Sequence, residues 1–127
     1  MKKHQIQGWW DDEPAPHLEV TLSSGEKFDV IVDSGYSGTL MLPFRRIERL
    51  GLEKYGHTYH RLANGASIRT ATYSGEILWF GQKLSLLIQA NETDEGLLGT
   101  ELFQGCKVEL DPDANVVSFR KKPARRR

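Results

Sequence analysis

Phe28-Asp29-Val30-Ile31-Val32-Asp33-Ser34-Gly35-Tyr36-Ser37-Gly38-Thr39 runs an apolar strand straight into a turn of glycines and small hydroxyl residues, with a carboxylate at the junction. Phe28, Val30 and Val32 are spaced by two and so share one strand face, which predicts a strand with a buried side. An Asp at the end of such a strand is costly to bury unless its oxygens accept hydrogen bonds or share a proton. Ser34 and Ser37 offer hydroxyls for this, and Gly35 and Gly38 offer amides on a flexible backbone. Asp29 breaks the apolar alternation and reads as a solvent-facing strand residue.

Upstream, His17-Leu18-Glu19-Val20-Thr21-Leu22 alternates as a strand, and Ser23 to Glu26 turns it into the return strand Lys27 to Val32. Before it, Trp9-Trp10-Asp11-Asp12-Glu13-Pro14 is a junction of aromatics and acids whose tryptophans are large enough to pack on the body or on a second subunit. Downstream, Pro43 opens a short helix, Phe44 to Leu50, and Gly51 stops it. Further strands are predicted around His57 to Leu62, Ser67 to Tyr73, Glu76 to Phe80 and Leu84 to Gln89. Asn64-Gly65 is the strongest tight-turn signal, because both residues tolerate positive φ. A polar loop, Asn91 to Glu95, leads to Gly96-Leu97-Leu98-Gly99 and a short helix from Thr100; Cys106 to Leu110 and Val116 to Phe119 make a last hairpin. Many short strands, frequent glycine turns and two brief helices predict a compact, all-β, barrel-like fold.

The chain has 127 residues, enough for one domain with a modest core. Five of its 17 Lys and Arg residues fall in Lys121 to Arg127, leaving 12 against 17 acids, a formal charge of −5, on residues 1–120. A basic end on a mildly acidic body argues against nucleic acid, which calls for a basic face. Tyr55, Tyr59, Tyr73, Trp79 and Phe80 are accordingly expected to fill core and groove walls rather than stack on bases. The single cysteine, Cys106, excludes an intrachain disulfide and fits a reducing, cytoplasmic setting. Its surroundings read as structural, since no histidine stands in a diagnostic spacing to serve it as a base. The start, Met1 to Ile6, is not followed by the apolar segment of a signal peptide, and no stretch approaches the roughly 20 apolar residues of a membrane helix. His57 and His60 are three apart, but no adjacent Cys or carboxylate completes a tetrahedral set, so no metal is expected.

One Asp cannot both activate a water and protonate a leaving group. Two identical chains meeting on a twofold axis solve this by bringing Asp33 against its own copy, where two carboxylates share one proton. Gly35 lets the two turns approach; a side chain there would hold them apart. Leu97-Leu98-Gly99, about 65 residues after the acid, is suited to pack behind the turn and hold it rigid.

Val30-Ile31-Val32-Asp33-Ser34-Gly35 with Leu97-Leu98-Gly99-Thr100 resembles the retropepsin-like (clan AA) aspartic proteases, in which an apolar run ends in Asp-Thr/Ser-Gly and a later apolar-apolar-Gly segment follows. Ser37-Gly38-Thr39 and Leu42-Pro43 make the likeness closer to the small single-domain bacterial and archaeal members, over roughly residues 17–120. The resemblance implies a closed barrel with a flap hairpin, a short C-terminal helix and an active site at a homodimer interface. Residues 1–16 would then be an N-terminal extension, 17–120 the protease domain and 121–127 a basic tail.

By the same likeness Asp33 is the catalytic carboxylate, and Ser34 hydrogen-bonds across the paired acids. Gly35 and Gly99 support the turn, and Leu62-Ala63-Asn64-Gly65 form the flap tip. Leu102 and Phe103 lie on the terminal helix, and Tyr36 and Leu98 are possible groove residues. Tyr36 stands where many retroviral members carry Ala, and Gly38-Thr39 stand where they place a second Asp. The function implied is a homodimeric aspartic endopeptidase that cleaves peptide or protein substrates through a water activated by paired Asp33 carboxylates, without cofactor, membrane or nucleic acid. The alternative is a peptide-binding or scaffold domain of the same fold with little or no turnover.

Overall fold

A computed structural model describes residues 4–123. In chain order the elements are β1 (Gln5–Gln7), β2 (Trp9–Trp10), β3 (Pro16–Leu22), β4 (Lys27–Val32), β5 (Leu40–Pro43), α1 (Phe44–Leu50), β6 (Lys54–Arg61), β7 (Ser67–Trp79), β8 (Gln82–Asn91), β9 (Gly96–Leu98), a 3-10 turn (Thr100–Phe103), β10 (Cys106–Asp111) and β11 (Val116–Lys121). No helix among the described residues is long and apolar enough to cross a membrane.

The local code is followed closely where chain chemistry is strong. β3 and β4 pair antiparallel from His17–Ile31 to Thr21–Lys27, with Gly25 at φ +100° in their turn. Alternation sends Leu18, Val20 and Leu22 from one strand and Phe28, Val30 and Val32 from the other into the core, none more than 5% exposed. α1 spans the expected residues: Pro43 precedes it, Gly51 ends it in the left-handed conformation at φ +68°, and Ile47 is its buried residue. At the far end, Phe119 is fully buried with Trp79 and Phe103 edge-to-face against it, at ring separations of 5.8 and 5.4 Å.

Three expectations are corrected. First, the strands do not form a closed barrel. An eight-stranded sheet runs β2-β3-β4-β9-β5-β8-β7-β6 and curls until β3 meets β7, while β1, β11 and β10 make a separate three-stranded sheet. The ring is uneven: β7 joins β3 through two residue pairs, Thr21–Leu78 and Leu22–Ile77, and β9 joins β5 through two, Leu40–Leu98 and Met41–Leu97. Strands of three and four residues in one ring with strands of ten and thirteen cannot sustain the regular stagger a barrel requires.

Second, the short helix expected from Thr100 is, among the described residues, no more than one 3-10 turn. Leu102 and Phe103 lie on a single 3-10 turn, after which the chain continues into β10 and β11. The amides of Thr100 and Glu101 donate outward, to the carbonyls of Tyr36 and Gly38, and Gly105 at φ +75° ends the segment before a helical turn can propagate. Third, Tyr55 and Tyr59 fill neither core nor groove; they stand 70% and 69% exposed on β6. β6 is an edge strand with one neighbour, so its outward positions meet solvent.

Gly75 punctuates the sequence where two strands are expected, yet β7 passes through it unbroken. A Cβ there would collide with the Ile88 side chain, so this glycine marks close packing and not a turn. Residues within the expected N-terminal extension are paired: Gln5–Gln7 with β11, and Trp9–Trp10 with β3. The Trp10 indole N–H donates to the Val116 carbonyl at 2.8 Å. Of the expected basic tail, Lys121 ends β11, and residues 124–127 lie outside the described residues.

Candidate active site

Asp33 follows the last residue of β4, and the strand next to it explains its position. β4 and β9 run parallel with Val32 opposite Leu98, and the Asp33 amide donates to the Leu98 carbonyl at 2.9 Å. The Leu97-Leu98-Gly99 segment therefore lies directly beside the acid-bearing strand, and β5 pairs with its other edge. The turn closes on itself: the Tyr36 amide donates to the Asp33 carbonyl at 3.1 Å, and the Gly35 amide donates to Asp33 Oδ1 at 2.8 Å. The half-buried carboxylate thus has one oxygen held by its own turn. Ser34 and Gly35 are exposed beside it.

Gly99 seals the back of this turn. Its amide donates to the Thr39 carbonyl, and the next amide, Thr100, donates to the Tyr36 carbonyl, each at 2.8 Å. A Cβ on Gly99 would stand 2.6 Å from the Tyr36 carbonyl oxygen and would also strike the Gly38 carbonyl. Two chain segments more than sixty residues apart in sequence are locked by backbone groups alone, which is why glycine is needed at this point.

Tyr36 and Leu98, expected as possible groove residues, both lie inside the chain's own fold, at 8% and 0% exposure. The turn folds the tyrosine back over Gly38, where any Cβ would overlap its ring. Its hydroxyl donates to Gln89 Oε1 on β8 and lies 3.4 Å from the Leu40 carbonyl. Burial, and secondly the negative charge of Glu101, raise the phenol well above its ordinary 10, so it stays a neutral donor.

Leu62, Ala63, Asn64 and Gly65 sit at the tip of the β6–β7 hairpin, which Gly65 turns at φ +87°. The tip is tied by Leu62 N–H to the Ala66 carbonyl at 2.7 Å and by Ala66 N–H to Asn64 Oδ1 at 3.0 Å. On its stem the His60 ring lies 6.4 Å from the ring of Tyr36, so the hairpin and the acid-bearing turn are neighbours. A recess of about 710 Å³ opens beside the hairpin, lined by Met41, Phe44, His60, Leu62, Ile68 and Ala90 among others. Its lining is mostly apolar. Asp33 does not line it.

Other titratable groups fall elsewhere. His57 and His60, three apart on β6, both border this recess, and no group of three His, Cys, Asp or Glu among the described residues is arranged to hold a metal. Cys106 is half-buried, and burial pushes its thiol up, away from the reactive thiolate. The arrangement sequence reasoning missed is Asp11–His17–Asp29, in which the imidazole Nε2 lies 2.5 Å from Asp11 and Nδ1 lies 2.7 Å from Asp29, with Trp9 stacked on the ring at 5.5 Å. Its signal was weak because the three residues share no spacing; β-pairing and a loop bring them together.

No protein-family model matches this sequence, and no curated protein matches it. Solved structures do match in fold. A retropepsin-like aspartic protease from Rickettsia conorii superposes with a TM-score of 0.68 over 92% of this chain and 90% of its own, at 16% identity. The EIAV protease, solved with the inhibitor HBY-793, gives 0.62 over 80% of this chain and 98% of its own, at 22% identity. The simian foamy virus (mac) protease gives 0.50 over 67% and 88%, at 19% identity. The chain thus has the retropepsin-like aspartic protease fold.

Proposed function

We propose that this protein is a homodimeric aspartic endopeptidase with Asp33 as its catalytic carboxylate. The observation that carries the reading is the acid turn itself: within this fold, Asp33 stands at a strand end with one carboxylate oxygen held by the Gly35 amide and its strand backed by Leu98. Each chain brings one such acid, so the chemistry calls for a second copy. With two Asp33 side chains sharing a proton, one serves as general base toward water and the other as general acid toward the departing amine. Water adds to the amide carbonyl, the tetrahedral species collapses, and no covalent enzyme intermediate or cofactor is required. Ser34 is assigned the hydrogen bond that ties one turn to its copy, and Leu62–Gly65 the flap that lies over an extended peptide.

The test uses wild type and Asp33→Asn, both shown to be dimers by sedimentation, against a complex mixture of unstructured peptides. Cleavage by wild type and none by Asp33→Asn is the expected result. Equal cleavage by both, or none by a dimeric wild type across acid to neutral pH, would overturn the assignment.

A further inference from the structure

Four polar side chains are buried among the described residues: Thr70, Thr72, Gln89 and Ser118. Thr70 and Thr72 stand on β7, a strand of the hairpin, and Gln89 on its neighbour β8, and an interior polar group kept there calls for a reason. We propose that Tyr36 is a positioning residue that, through Gln89, ties the Asp33 turn to the two strands carrying the Leu62–Gly65 hairpin. The proposal rests on the reading of Asp33 as the catalytic acid and of the hairpin as a flap.

The path consists of two side-chain hydrogen bonds joined by one ladder pair. Tyr36 is held at both ends of its backbone: its amide donates to the Asp33 carbonyl within the acid's turn, and its carbonyl accepts from the Thr100 amide in the segment behind it. Its hydroxyl, buried, donates to Gln89 Oε1. Gln89 stands opposite Thr72 in the β7–β8 ladder, so the two side chains share a face. Thr72 Oγ1 is 2.9 Å from Thr58 Oγ1 on β6, the other strand of the hairpin. Glycine at 38 and 99 is what admits the tyrosine, since a Cβ at either position would overlap its ring. Ala at position 36 would leave Gln89 without its donor; the tyrosine and the glutamine belong together.

Because Tyr36→Phe leaves Gln89 without its donor and Gln89→Leu leaves the phenol only the Leu40 carbonyl at 3.4 Å, while the double change removes both groups, the pair can be separated from mere packing. Tyr36→Phe, Gln89→Leu and the double variant are compared for thermal stability, for kcat and KM on a cleaved peptide, and for amide hydrogen exchange. Both single variants are expected to lose stability and the double to regain most of it. All three are expected to lose about tenfold or more in kcat with KM little changed, since a small displacement of the reacting acid is expensive. In the double variant the amides of Gly35 and Gly65 exchange faster than in wild type, while those of the β10–β11 ladder do not. A double variant that regains kcat along with stability would reduce the pair to packing, and unchanged exchange at Gly35 and Gly65 would equally overturn the proposal. Absence of any cleavage by wild type sinks the peptidase reading alone, because the exchange measurement still decides the tie.

Discussion

At the scale of the residue, the glycines of this chain are needed for different reasons, and the structure separates them. Gly99 has extended backbone, φ −101° and ψ 176°, so no left-handed conformation demands glycine there; close approach does. The atoms in the way are the backbone carbonyls of Tyr36 and Gly38, which cannot swing aside as a side chain would. Gly99→Ala is expected to cost about 1–3 kcal/mol, the range for forcing extra volume into a packed site, and to loosen the Asp33 turn. Gly56→Ala, with open space around the added methyl, is the control and should not destabilise. Urea unfolding of the two variants checks this, and equal midpoints would show that the turn yields easily. The need for a small residue behind the turn is legible from Leu97-Leu98-Gly99. The inward course of Tyr36 is not, because residues 35 to 39 can direct an aromatic ring either way and only the polar partner on β8 selects the interior.

At the scale of the element, the segment before β3 is fastened by a histidine held between two acids. Both Asp11 and Asp29 accept from the His17 ring, so both bonds form together only when the imidazole carries two protons. Burial alone would lower the His17 pKa, but the bonds and charges of Asp11 and Asp29 outweigh it and the net shift is upward; Asp11 is lowered, chiefly by the same contact. A raised imidazole contributes stability that is complete below its ordinary 6.5 and is lost as pH climbs through the raised value. The depressed Asp11 contributes above its ordinary 3.8 and is lost as pH falls. The fastening is therefore strongest between these two limits. His17→Gln is expected to lower the melting temperature more at pH 5 than at pH 9, and a difference that does not vary with pH would show that His17 matters only as a packed ring. The sequence announces aromatics and acids at residues 9–13, but the pairing of His17 with Ile31 is what turns Asp29, read as merely solvent-facing, toward the imidazole.

At the scale of the whole molecule, one chain offers one Asp33 at a half-open surface, and the proposed chemistry needs two. Peptidase rate should fall more steeply than in proportion as the enzyme is diluted through its dimer dissociation constant. A rate that stays proportional to concentration where sedimentation finds only monomer would exclude an active site shared between copies. The architecture also shows where local reading stops. Expecting a barrel from many short strands treats them as equivalent, yet β9 and β5 are short links between long strands, and the ring they complete is thin at β5–β9 and β3–β7. Closure depends on how twist accumulates across six strands, which no window of sequence contains.

By itself the sequence determined the β3–β4 hairpin, the helix from Phe44 to Leu50, the Asn64-Gly65 turn and the acid at the end of a buried strand. Each follows from alternation, a helix boundary or a glycine within a few residues of the feature it explains. Only the tertiary structure decided which backbone groups join Leu98, Gly99 and Thr100 to the acid's turn, that Tyr36 points inward to Gln89, and that His17 is held between Asp11 and Asp29. These are contacts between segments distant along the chain, and their geometry is set by strand register and close packing.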